Sequence, residues 1–188
     1  ADAEMVIEGH VLPNVKEVEG PFGEFTGYYG PQRMRNVIEV SAITHRRDAI
    51  FQHIFTGHRD TWVLGGIPKE GSLFNLIRGV VPTVKAVHFP MSGGCRFNCY
   101  ISIDKKVDGE TKQAALAALG GCDFVKHVVV VDADIDIYNE EEVMWAVATR
   151  VQADQDVDVI RNVKGNTLDP SQTDNIMTAK MIIDATKP

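Results

Sequence analysis

The sequence predicts an α/β protein (α+β overall) in two parts: a β-rich stretch over residues 1–60 and an α/β domain with a mixed sheet over 61–188. Three observations carry that expectation. Residues 4–11 and 34–44 are rich in β-branched side chains and partly alternate, the period of a half-buried strand. From about residue 61 onward, strand-like and helix-like segments follow one another. Val128–Val131 is a short, wholly apolar run, as in a strand covered on both faces.

Taken in order, residues 4–11 give a first strand and 13–31, rich in Gly, Pro and Glu, an irregular stretch. Residues 34–44 give a second strand, and no helix is expected before about residue 70. Trp62-Val63-Leu64 reads as a strand ending in a turn at Gly65-Gly66. Leu73, Leu76, Ile77 and Val80 fall at helical spacing, with Ser72 as N-cap. Val84–Phe89 and Phe97–Ile103 read as strands, and 111–119 as an alanine-rich helix. Asn139 caps a helix that opens on Glu140-Glu141-Glu142 and closes on Arg150, charges that suit the helix dipole. Gly93-Gly94 and Gly120-Gly121 read as turns, and 164–188 shows no closing element. The first third holds too few strands to close a barrel or a sandwich, and the open edge it leaves is one soluble proteins avoid. It is expected to complete a sheet begun elsewhere, upstream in the same polypeptide or in another chain.

Composition narrows the functional classes. The 188 residues are 44% hydrophobic and 24% charged, a globular mix that argues against disorder. The net charge of −7 lacks the basic footprint of a nucleic-acid binder. No apolar run is long enough to span a bilayer. The opening Ala-Asp-Ala-Glu has no basic region or apolar core, so no secretory signal is expected. Three sparse cysteines, Cys95, Cys99 and Cys122, suit a reducing cytoplasm.

The sharpest local feature is Glu19-Gly20-Pro21-Phe22-Gly23-Glu24, followed by Phe25-Thr26-Gly27-Tyr28-Tyr29-Gly30. Gly and Pro force a tight path that can bring two carboxylates close together near a ligand. Neighbouring carboxylates raise each other's proton affinity, so one can serve as a general acid. The same residues also suit a plain solvated acidic turn. Other clusters are weaker. Asp132, Asp134 and Asp136 alternate as a metal site might require, yet fit a solvated acidic loop with capping roles better. Cys95-x-x-x-Cys99 has no second pair at zinc spacing, and the six histidines form no ligand pair. No metal ligands are assigned within the chain.

The motif Glu-Gly-Pro-Phe-Gly-Glu-x-Thr-Gly-Tyr-Tyr, preceded by Glu-x-Val-Ile-Glu-Gly, resembles the signature of the UbiD-type decarboxylases. Ile43-Thr44-His45-Arg46, the run Val143–Arg150, Leu168-Asp169-Pro170 and Asp184-Ala185-Thr186 resemble later family segments in the same order. The resemblance therefore covers nearly the whole chain, as the C-terminal part of such an enzyme. It implies that residues 1–60 complete a split β-barrel carrying cofactor and active site, and that 61–188 form an oligomerising α/β domain. It implies non-oxidative, reversible decarboxylation of an unsaturated aromatic or heteroaromatic acid with prenylated FMN, which accepts electrons as CO2 leaves. Glu24 would be the proton donor and Glu19 its partner in a charge network with an upstream Arg. The ligands of the divalent metal (Mn) and of a monovalent cation (K) are expected outside this chain, in a missing N-terminal portion.

By the same resemblance Leu64, Phe124 and Asn166 would line the substrate pocket. The polar Asn166, where relatives acting on bulky aromatic acids carry an aromatic, points to a polar or heteroaromatic acid. Partners would be the carboxylic acid, CO2, the N-terminal portion and further copies in a homo-oligomer. Two rival readings stand beside this one: a non-catalytic assembly module of a larger enzyme, and a metal-dependent hydrolase using Glu19, Glu24 and nearby histidines.

Overall fold

A computed structural model of the chain describes residues 2–172 and 176–187. Strand β1 (Met5–Glu19) pairs antiparallel with β2 (Arg33–His45) in a two-stranded ribbon. Helix α1 (Arg59–Val80) leads into β3 (Val84–His88), β4 (Asn98–Ile103), α2 (Glu110–Gly121), β5 (His127–Asp132), α3 (Glu140–Arg150), β6 (Val157–Lys164) and β7 (Met177–Asp184). The five later strands form one mixed sheet in the order β3-β4-β5-β7-β6. Strands β4, β5 and β7 run parallel, with β3 and β6 antiparallel on the two edges.

The core follows from the pleat of β5. Val128 and Val130 face one way, onto Leu73 and Ile77 of α1 and Ala114 and Ala118 of α2. Val129 and Val131 face the other way, onto Val143 and Ala146 of α3. Helices on both faces demand apolar residues at every position of the central strand, which is why the run is unbroken. Each valine buried in this way contributes roughly 1.5–3 kcal/mol. The ribbon has no such cover. Ile7, Val11, Val18, Ile38 and Ile43 are all more than half exposed.

Several elements differ from the sequence reading. Strand β1 continues to Glu19, so the irregular stretch starts at Gly20 rather than at residue 13. Residues 62–64 lie inside α1, which begins at Arg59 and runs through Gly65, Gly66 and Pro68. Those residues disfavour a helix in isolation, but here close packing requires the two glycines. A Cβ on Gly66 would stand 2.8 Å from the Cβ of Cys95, and one on Gly65 would collide with the Arg96 guanidinium. Ser72 is not a cap; its hydroxyl donates to the Pro68 carbonyl within the helix at 3.0 Å. Gly120-Gly121 end α2 rather than forming a separate turn.

The region beyond 150 holds two strands: β6, to which the sequence reading assigns no element, and β7, which lies in the 164–188 stretch read as having no closing element. Strand β6 is disguised by a bulge after Ile160, where Asn162 takes a left-handed conformation. Strand β7 is interrupted in sequence by Lys180, which is 1% exposed. Its Nζ donates to the carbonyls of Leu119 at 3.1 Å and Cys122 at 3.4 Å, satisfying the end of α2.

Candidate active site

The Glu19–Gly30 segment is a closed loop at the end of the ribbon. Gly30 N–H donates to the Phe22 carbonyl at 2.9 Å, Glu24 N–H to Tyr28 at 2.9 Å, and Gly27 N–H to Glu24 at 3.0 Å. Glu24 therefore sits in a tight inner turn nested in a wider one. Its side chain lies against Gly30, where an added Cβ would stand 3.0 Å from the Glu24 Cγ. Glu19, the last residue of β1, faces Arg35 of β2, with Nε 3.4 Å from Oε2. Both partners are more than half exposed, so the pair contributes little to stability.

Across from this loop stands the 166–172 segment of the α/β half. Between them lies a cleft of about 310 Å³ whose wall includes Glu19, Phe22, Glu24, Phe124, Asn166 and Leu168. It shares Glu24, Gly30, Pro31, Arg33, Thr167 and Leu168 with a neighbouring cleft of about 560 Å³. Four of the five residues singled out from the sequence, Glu19, Glu24, Phe124 and Asn166, thus meet in one place. Leu64 does not line it; it projects from α1 and is 63% exposed. Asn166 is fixed by two contacts, donating to Asp123 Oδ2 at 3.1 Å and accepting from the Leu168 N–H at 3.0 Å.

Arg33 and Arg35 also line the cleft and were not foreseen. Their signal was the alternation Arg33-Met34-Arg35 on β2, which places two cations on one side of a strand beside the acidic end of β1. Asp169 anchors the opposite wall. Burial pushes its pKa up, but hydrogen bonds from Lys126 and Ser171 outweigh that and hold it below the ordinary carboxylate value.

The remaining titratable clusters are engaged in structure. Arg150 binds Asp132 and Asp134, and Lys187 binds Asp134 at 2.9 Å. Hydrogen bonds from Arg150 and Lys187 lower the Asp134 pKa to about 2. His88 contacts Glu70 at 2.8 Å and His127 contacts Asn98 at 3.0 Å. All three cysteines are free, and burial pushes the Cys99 thiol far up. Among the described residues no group of three or more His, Cys, Asp or Glu is arranged to hold a metal ion. No helix there is long and apolar enough to cross a membrane.

Comparison with known proteins places the chain in a family. Residues 1–59 match the 3-octaprenyl-4-hydroxybenzoate carboxy-lyase Rift-related domain, and 62–185 match the C-terminal domain of the same carboxy-lyases. The chain is 39% identical over 186 residues to the anhydromevalonate phosphate decarboxylase of Methanocaldococcus jannaschii, covering 98% of this chain and 44% of that protein. It is 38% identical over 193 residues to the phenolic acid decarboxylase of Sedimentibacter hydroxybenzoicus, covering all of this chain and 40% of the relative. Among solved structures it superposes on the UbiD-class enzyme HmfF from Pelotomaculum thermopropionicum in complex with FMN, with TM-score 0.93 and 52% identity. That alignment covers 98% of this chain and 41% of HmfF. An evolved dimeric form of HmfF in complex with prFMN matches with TM-score 0.87 and 48% identity, over 98% of this chain and 40% of that one. The chain spans less than half the length of these relatives, and it belongs to the UbiD carboxy-lyase family, corresponding to the C-terminal part of its decarboxylases.

Proposed function

We propose that the chain is the C-terminal portion of a prenylated-FMN decarboxylase acting on an unsaturated aromatic or heteroaromatic acid, with Glu24 as the proton donor. The observation that carries this reading is the convergence of Glu19, Glu24, Phe124 and Asn166 on one cleft from separate parts of the chain. The solved relatives with FMN and prFMN support the cofactor. An acid, an aromatic wall from Phe22 and Phe124, and the cations Arg33 and Arg35 suit a planar ring and an anionic substrate. In this reading the Mn and K ligands belong to the part of the enzyme outside this chain.

Bound prenylated FMN would supply the electron sink that lets CO2 depart. The chain's own residues do the rest. Glu24 holds a proton at its carboxyl and delivers it to the substrate carbon. Glu19, paired with Arg35, sets a charged pair on the wall of the same cleft as Glu24. Phe22, Phe124 and Leu168 give the cleft its apolar wall, and Asn166, held by Asp123, offers a polar contact to the ring of the acid. The same reading divides the chain near residue 60, at the start of α1. Residues 1–60 then finish a split barrel whose other strands cover the ribbon, and 61–188 form the oligomerising domain of a homo-oligomer.

The test is Glu24→Gln in the intact enzyme. The amide keeps the shape of the turn and cannot donate as a carboxylic acid does, so turnover should fall by about 10²–10⁴-fold with the bound-flavin spectrum retained. Near-normal turnover in that variant would show that the proton comes from another group.

A further inference from the structure

We propose that Trp62 and Arg96 are positioning residues for Glu24, acting on it through Phe25. The proposal rests on the reading of Glu24 as the proton donor. Phe25 is 4% exposed, whereas Tyr28 and Tyr29 on the same turn are 64% and 78% exposed. One residue of the loop is therefore driven into the α/β half, and it is the one bonded to Glu24.

Three separate segments grip it. Trp62, in the first turn of α1, donates its indole N–H to the Phe25 carbonyl at 2.6 Å. Phe97, just ahead of β4, and Phe124, just ahead of β5, place their rings 5.5 Å and 5.7 Å from that of Phe25. Arg96 lays its guanidinium over the Phe25 ring with Cζ 4.4 Å from the centroid, and over Phe124 at 5.6 Å. Its Nη1 is buried and has no hydrogen-bond partner among the described residues. A buried guanidinium nitrogen without a hydrogen-bond partner carries a desolvation cost that the two aromatic faces offset. Gly65 leaves the space it occupies.

The carbonyl side is equally confined. Gly57 takes a left-handed conformation, and a Cβ there would stand 3.1 Å from the Glu24 carbonyl oxygen. With the Phe25 carbonyl and ring both fixed, the peptide joining Glu24 to Phe25 has little freedom to rock. The Glu24 carboxyl is then aimed from the α/β half, although its loop grows from the ribbon. A displacement of about 1 Å at a reacting group can cost about 10²-fold in rate, so the clamp acts on proton delivery rather than on substrate binding.

The experiment is Trp62→Phe in the intact enzyme, which keeps a ring and removes the donor. The expected result is a fall in kcat of about 10- to 100-fold with KM within about twofold. The solvent deuterium isotope effect on kcat should rise as proton transfer becomes limiting, while the melting temperature and bound-flavin spectrum hold. Arg96→Lys, which retains a cation over Phe25, should keep most of the rate, and Arg96→Met should lose it. If Trp62→Phe does not fold, the Arg96 pair decides. Wild-type kcat in Trp62→Phe and Arg96→Met, or a loss of kcat that only tracks loss of cofactor and stability, overturns the proposal. Glu24→Gln in the same preparation separates the two levels. If it alone is inactive, only the clamp is wrong; if it is active, the acid assignment fails and the clamp with it.

Discussion

The ribbon and the five-stranded sheet use similar β-branched residues to opposite effect. In the sheet, Ile101, Val128 and Val130 are fully buried because helices close both faces. In the ribbon, Ile7, Ile38 and Ile43 alternate as strand residues should and yet stay exposed. An isolated two-stranded ribbon is marginal in water. The α/β half therefore carries the folding stability of this chain, and the ribbon carries the acidic residues Glu19 and Glu24 to the cleft. The difference teaches that strand pattern alone reports which residues are meant to be buried, not what buries them.

That contrast can be broken by the same kind of substitution on its two sides. The largest effect is expected for Ile101→Ala, which leaves a cavity under α1 and α2 and should cost about 2–5 kcal/mol in denaturant unfolding of the chain. A loss below about 1 kcal/mol would mean that the sheet is not the stable half. A smaller effect is expected at the end of the sheet domain. Asp134 has its pKa lowered to about 2 by Arg150 and Lys187. Its contribution is present above the unfolded carboxylate value of about 3.9 and is lost as pH falls through about 2. Stability of the wild type should thus fall more steeply between those values than that of Asp134→Asn. The contribution is modest because the side chain is 40% exposed and screened. The smallest effect belongs to the ribbon, where Ile38→Ala should shift stability by no more than about 0.5 kcal/mol.

Much of the sheet domain was legible because its signals are local. Asn139 does cap α3, accepting from the Glu141 N–H at 3.1 Å, and the apolar run of β5 is the central strand between two helical layers. The second half of helix α1 was legible in the spacing of Leu73, Leu76, Ile77 and Val80, but its first half was not, since Gly65-Gly66 read as a turn and their reason is contact with Arg96 and Cys95, some thirty residues away. Strand β7 was hidden by Lys180, whose partners are carbonyls at the end of another helix. The same division holds for the site. Glu19 and Glu24 stand in one short motif and were visible. Phe124 and Asn166 came only through family resemblance. Arg33 and Arg35 left a local trace in the alternation Arg33-Met34-Arg35, but only the pairing of β2 with β1 gives it meaning. Trp62 and Arg96 depend on contacts between distant segments, which no local pattern announces.

The central claim is that the Glu24 turn belongs energetically to the α/β half although it grows from the ribbon. Amide hydrogen exchange on the polypeptide 1–188 tests it most directly. The account predicts that Glu24, Gly27 and Gly30, whose N–H groups close the turn, stay protected after amides of Met5–Val18 and Met34–His45 have exchanged, and that Trp62→Phe removes this extra protection. Exchange of the turn together with the ribbon, unchanged by Trp62→Phe, would contradict it.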